Sequence, residues 1–146
     1  MPDGLFGLTT ALVAIPSVSH HEGPMADAVE AALRLCPWLR VERVGDNVVA
    51  RTDLGRGTRL LLAGHLDTVP PVNGNEEPRL EGDTLYGVGS ADMKGGLAVF
   101  LHLAGTIPEP AVDVTWCFYV GEEVEQQFNG LRSLWEHRPE LLERRL

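Results

Sequence analysis

Two apolar runs, each ending in ionisable residues, constrain this chain more than any other feature. The first, "RLLLAGHLD" at 59–67, carries Leu60, Leu61, Leu62 and Ala63 without polar alternation. A strand apolar on both faces belongs in the middle of a sheet, covered by helices on both sides. The second, "AVDVTWCFYV" at 111–120, places Val112, Val114, Trp116, Phe118 and Val120 on one face and opens directly into "GEEVE". In α/β proteins the C-terminal ends of such strands are where ligands bind. Both runs deliver imidazole or carboxylate groups to that position.

Helical patterns separate the strands. Residues 4–15 predict a helix stopped by Pro16. In "SVSHHEGPMADAVEAALRL", Ser19 and Glu22 have capping-box spacing, and Pro24 suits a first helical turn. Met25, Val29, Ala32 and Leu33 share one face of this helix, which Pro37 ends. Two short strands, 39–44 and 47–52, flank the turn "GDN". Residues 70–83 read as a polar loop. In "TLYGVGSADMKGG", Gly87, Gly89, Gly95 and Gly96 imply a backbone bent close around something. A helix over about 95–105 is apolar on most sides and therefore buried, and a short helix follows near 129–136. The fold class is α/β, with a mixed, largely parallel sheet flanked by helices.

At 146 residues the chain has the size of one modest domain. Its 21 Asp and Glu against 12 Lys and Arg, net −9, argue against nucleic acid or an anionic membrane as partner, since both need a basic face. No apolar run approaches the roughly 18 residues a membrane span requires. The opening "MPDGLFGLTTALVAIPS" lacks a basic start and reads as the first helix, not a signal peptide. Cys36 and Cys117 lie in unrelated segments with no CxxC spacing, as expected of reduced, buried thiols in a cytoplasmic protein.

Three places carry candidate chemistry. His65 and Asp67 project to the same side of extended chain, so Asp67 can orient His65 as a metal ligand. The plainer reading is a strand-end pair bonded to nearby backbone. Asp92 sits just before a helix, where a carboxylate either caps the helix or bridges two cations. Lys94 beside it reads as a surface or local ion-pair residue. Glu122 and Glu123 are either solvated at a strand exit, or divided between metal coordination and proton transfer. Glu125 continues the run as a solvated residue. His20, His21, His102 and His137 have no ligand-like companions, and His102 reads as an interior or boundary residue.

Taken in order, "GHLDTVP", "LYGVGSADMKGG" and "YVGEEVEQQFNGLRSL" resemble the three signatures of the zinc-dependent M20 deacylase and peptidase family, and the similarity runs from "IPSVSHHEG" onwards. Within the family, "LAGHLDTVPP", "RLEGDTLYGVGSADMKGGLAVF" and "EEVEQQFNGL" look most like succinyl-diaminopimelate desuccinylases of the actinobacterial type. The resemblance implies two Zn2+ ions, with Co2+ as a possible substitute. His65 would hold one, Asp92 would bridge both and Glu123 would hold the second. Glu122 would be the general base and acid, and Asp67 would position His65. The implied reaction cleaves N-succinyl-LL-2,6-diaminopimelate to succinate and LL-diaminopimelate, in lysine and diaminopimelate biosynthesis. Acetylornithine deacetylases, aminoacylases and dipeptidases or carboxypeptidases share the signatures and are the alternatives within the family. A non-catalytic interaction module, or half of a split enzyme, is the alternative outside it.

Family members are much longer and draw a further acidic ligand, a C-terminal histidine and a dimerisation domain from segments not placeable here. The expectation is therefore a partial catalytic domain over 1–146, with weak or partial metal occupancy and little activity alone. Apolar surface left by the missing part of the sheet should favour self-association or pairing with a C-terminal portion.

Overall fold

The computed structural model describes residues 4–143. Four strands form the main sheet: β1 (Arg40–Val44), β2 (Asn47–Arg51), β3 (Arg59–His65) and, after two strands described below, β6 (Asp113–Tyr119). Their order is β1-β2-β6-β3. β1 with β2 and β2 with β6 are antiparallel, and β3 with β6 is parallel. The sheet is thus mixed, as the alternation of elements predicts. Its parallel character is confined among the described residues to the β3–β6 pair, because β1 and β2 form a hairpin through the turn at Gly45-Asp46.

Helices α1 (Leu5–Val13), α2 (Gly23–Arg34) and α3 (Gly95–Thr106) cover one face. Leu12, Met25, Val29, Leu33, Leu97 and Leu101 pack there against Val48, Ala50, Val114, Trp116 and Phe118. The alternate residues Val49, Cys117 and Tyr119 point to the other face, where Leu134 of α4 (Gly130–His137) and Leu141 and Leu142 of the following turn close a smaller cluster. The period-two alternation of β2 and β6 therefore serves two cores at once. Cys36 and Cys117 are both buried and unpaired, and burial pushes the Cys117 thiol up to about 12.

Centrality goes to a different strand from the one the Leu60–Ala63 run suggests. All seven residues of β6 are buried, whereas Leu60 and Leu61 of β3 are 46% and 41% exposed. β3 lies at the sheet edge among the described residues, and α4 packs over β6, so the outer half of β3 has no cover. Inside the stretch read as a loop and glycine-rich turn, β4 (Arg79–Glu81) and β5 (Thr84–Tyr86) form a small antiparallel hairpin. Short strands around "GD" carry too little alternation to read.

Other expectations shift for local reasons. No capping box forms, because Ser19 turns instead to the buried Asp67, and α2 begins after Glu22 without a side-chain cap. Glu22 accepts the His20 amide instead (3.0 Å). His102 is exposed on α3, which buries only Leu97, Ala98, Leu101 and Ala104. The glycine-rich turn is bent around protein: a Cβ on Gly89 (φ +78°) would stand 2.5 Å from the Thr68 methyl. No helix among the described residues is long and apolar enough to cross a membrane.

Candidate metal centre

Parallel pairing of β3 and β6 brings the ends of both apolar runs to one edge of the sheet. His65 and Tyr119 are register partners, and the Leu66 amide donates to the Tyr119 carbonyl (2.7 Å) before the two chains separate. Asp67 therefore leaves β3 beside the turn that carries Glu122 and Glu123. Gly121 makes that turn possible: it holds φ +74°, and a Cβ there would stand 2.2 Å from the Phe128 carbonyl oxygen.

His65 Nε2, an oxygen of Asp92 and an oxygen of Glu123 lie within 4.8 Å of one another. Nε2 is 2.8 Å from Asp92 Oδ1 and 3.9 Å from Glu123 Oε1. The imidazole is buried, and both carboxylates are reachable from solvent. One borderline nitrogen and two hard oxygens are a donor set suited to Zn2+ or a similar divalent ion. Asp92 does not cap α3. Its backbone is extended (φ −131°), its side chain is 75% exposed, and the N-terminal residue of α3 has no side-chain cap. Of the two readings open for Asp92, the helix cap is not formed, and the carboxylate faces His65 Nε2 instead.

Asp67 does more than its sequence position suggests. His65 Nδ1 lies 2.9 Å from the Asp67 backbone carbonyl and 3.5 Å from its carboxylate, so the main chain shares the orienting role. The carboxylate, fully buried, accepts the Ser19 hydroxyl (2.6 Å) and the backbone amides of Glu122 and Glu123 (3.0 Å each). It thus ties the loop before α2, the end of β3 and the glutamate turn into one unit. Burial opposes its ionisation, but the bonds from His65, Ser19 and the two amides prevail and hold the group well below the usual carboxylate range. Burial likewise opposes charge on His65, yet its contacts with Asp67 and Asp92 raise the imidazole to about 9.

Lys94, read as a surface or local ion-pair residue, is buried. Its amine donates to the carbonyls of Leu12 (3.0 Å) and Ile15 (2.6 Å) at the end of α1, and burial lowers it to about 8. A lysine here anchors the Asp92 turn to the C-terminal end of α1 through two backbone carbonyls. Glu122 accepts the Tyr119 hydroxyl (3.0 Å) and the Asn129 amide (3.1 Å) on the same oxygen, Oε2. Ser19, Tyr119 and Asn129 went unread in the sequence as site residues. Asn129 and Ser19 carried only helix-start signals, and Tyr119 carried none. His20, His21 and His137 are exposed and stand outside the group.

One imidazole and two carboxylates thus meet at the edge of a mixed α/β sheet, as a group that could hold a divalent ion. The model of peptidase family M20/M25/M40 matches residues 61–145, and the chain belongs to that family. The DapE protein of Mycobacterium tuberculosis is 52% identical over 136 residues, covering 92% of this chain and 38% of its own length. The succinyl-diaminopimelate desuccinylase of Corynebacterium glutamicum is 44% identical over 140 residues, with 92% and 38% covered. The crystal structure of the M20 family metallo-carboxypeptidase Sso-CP2 from Sulfolobus solfataricus shares the fold at TM-score 0.78 and 21% identity, over 98% of this chain and 36% of that one. The chain spans 38% of the length of the curated relatives it matches.

Proposed function

We propose that this chain is the N-terminal, ligand-bearing part of a zinc-dependent amide hydrolase that cleaves N-succinyl-LL-2,6-diaminopimelate to succinate and LL-diaminopimelate. The observation that carries this reading is the meeting of His65, Asp92 and Glu123, from three separate segments, within 4.8 Å. The identity to desuccinylases supports the substrate. His65 and Asp92 would hold one divalent ion, and Asp92 and Glu123 a second. When bound, the ions supply Lewis-acid polarisation of the scissile carbonyl and acidify the attacking water. Glu122 would serve as general base and acid, taking a proton from the attacking water and returning it to the departing amine. Asp67 holds the glutamate turn and His65 in register, and Lys94 holds the turn bearing Asp92.

Each ion would have two protein donors here, whereas a catalytic zinc site normally has three plus water. A completing segment is therefore part of the proposal. Its natural docking edge is β3, where Leu60 and Leu61 are exposed and Leu61 lines a groove of about 430 Å³ with Leu131, Trp135 and Leu142. Zinc titration of the chain, with hydrolysis assays on N-succinyl-LL-diaminopimelate, N-acetylornithine and dipeptides, tests the proposal. Weak zinc binding that needs His65, with any turnover confined to the succinyl substrate, is expected. Tight two-zinc binding with full turnover of a dipeptide would overturn it.

A further inference from the structure

Glu122 is held by two donors, and the way they are held is unusual for an exposed glutamate. Asn129 Oδ1 accepts the backbone amides of Leu131 (2.9 Å) and Arg132 (3.2 Å), capping α4. Flipping this side-chain amide would set its NH2 group against two N–H donors, so the cap fixes which end faces Glu122. The NH2 group is thereby committed to Glu122 Oε2. Tyr119, the register partner of His65, is 9% exposed and sends its hydroxyl to the same oxygen. Burial first, and then the Glu122 carboxylate, push the phenol above its ordinary value, which keeps it a donor. Both bonds fall on Oε2, so Oε1 is the oxygen left for exchange with a substrate or water.

We propose that Tyr119 and Asn129 are positioning residues that lock Glu122 in one rotamer and assign proton transfer to its Oε1. The inference rests on the reading of Glu122 as general base. A wandering carboxylate must be gathered into its reactive pose at each turnover, and prior fixation removes that cost. Helix α4 thus acts on the candidate base through its capping residue.

The test is χ1-dependent three-bond couplings of Glu122, measured by NMR on the labelled chain and on Tyr119→Phe and Asn129→Ser. Serine keeps the cap acceptor of α4 but has no amide donor, so it separates helix stability from positioning. A single rotamer in the parent chain is expected. Couplings should fall toward rotamer-averaged values in each variant, with the thermal midpoint of Asn129→Ser and the zinc affinity of both variants nearly unchanged. Averaging in the parent chain, or one retained rotamer in both variants, overturns the proposal. The couplings do not depend on turnover. A chain with a fixed Glu122 that binds two zinc ions tightly and fully turns over a dipeptide would refute the function and leave the positioning intact.

Discussion

Replacing Asp67 by Asn probes the joint between the three motifs. The buried carboxylate accepts Ser19 Oγ and the amides of Glu122 and Glu123. A carboxamide keeps one acceptor oxygen and turns its NH2 group toward at least one of these donors. One backbone N–H then loses its partner, at about 1–3 kcal/mol, and the surviving bonds lose their charge assistance, at about 1 kcal/mol more. The sum of roughly 2–4 kcal/mol corresponds to a fall in thermal midpoint of about 6–15 °C for a domain of this size. The pH dependence has a definite sign. A carboxyl held below its ordinary value contributes stability that is present above the unfolded value and lost only as pH falls through the folded one. The parent chain should therefore lose this contribution in acid, and Asp67→Asn should lack that part of the acid transition. Zinc affinity should fall about 10- to 100-fold, as for other groups that orient metal ligands. Calorimetry at several pH values and zinc titration measure both. A midpoint within about 2 °C of the parent, with unchanged zinc affinity, would refute the claim that Asp67 organises the site.

Other outcomes follow from the same geometry. With His65 raised to about 9, the metal-free imidazole is protonated at neutral pH, so zinc uptake should release about one proton and tighten as pH rises toward 9; calorimetry in buffers of different ionisation enthalpy reads this. His65→Ala, Asp92→Ala and Glu123→Ala should each abolish zinc binding, and the last two, being at solvent-reachable carboxylates, should move the thermal midpoint little. Lys94, lowered to about 8 by burial, binds its proton less tightly folded than unfolded, so stability should rise from about pH 8 toward the ordinary lysine value; Lys94→Met should flatten that rise and weaken zinc binding. Leu61→Lys should reduce self-association in sedimentation velocity, because Leu61 is 41% exposed on the open edge strand beside the Trp135 groove.

Local chemistry made much of the molecule legible. Pro16, Pro24 and Pro37, the turn at Gly45-Asp46 and the alternation of Val114, Trp116 and Phe118 set element types and approximate ends, because backbone limits and side-chain periodicity act within a few residues. The resemblance of three motifs to the M20 family named His65, Asp92 and Glu123 as candidate ligands before any distance was known. Residue type could not say what a buried charge finds across the fold. Lys94 reads as a surface residue until α1 presents two carbonyls to it. Ser19 reads as a helix cap until the buried Asp67 carboxylate, a stronger acceptor, draws its hydroxyl away. Strand centrality likewise depends on which neighbours pair: the uninterrupted leucines of β3 lie at an edge, and β6 takes the middle. The sequence by itself determined that an imidazole and carboxylates follow the apolar runs, and in what order. Only the tertiary structure decided that one buried carboxylate would hold the glutamate turn, and that Tyr119 and Asn129 would share one oxygen of Glu122. Such bonds join residues that only the folded sheet brings within three ångströms or so of each other.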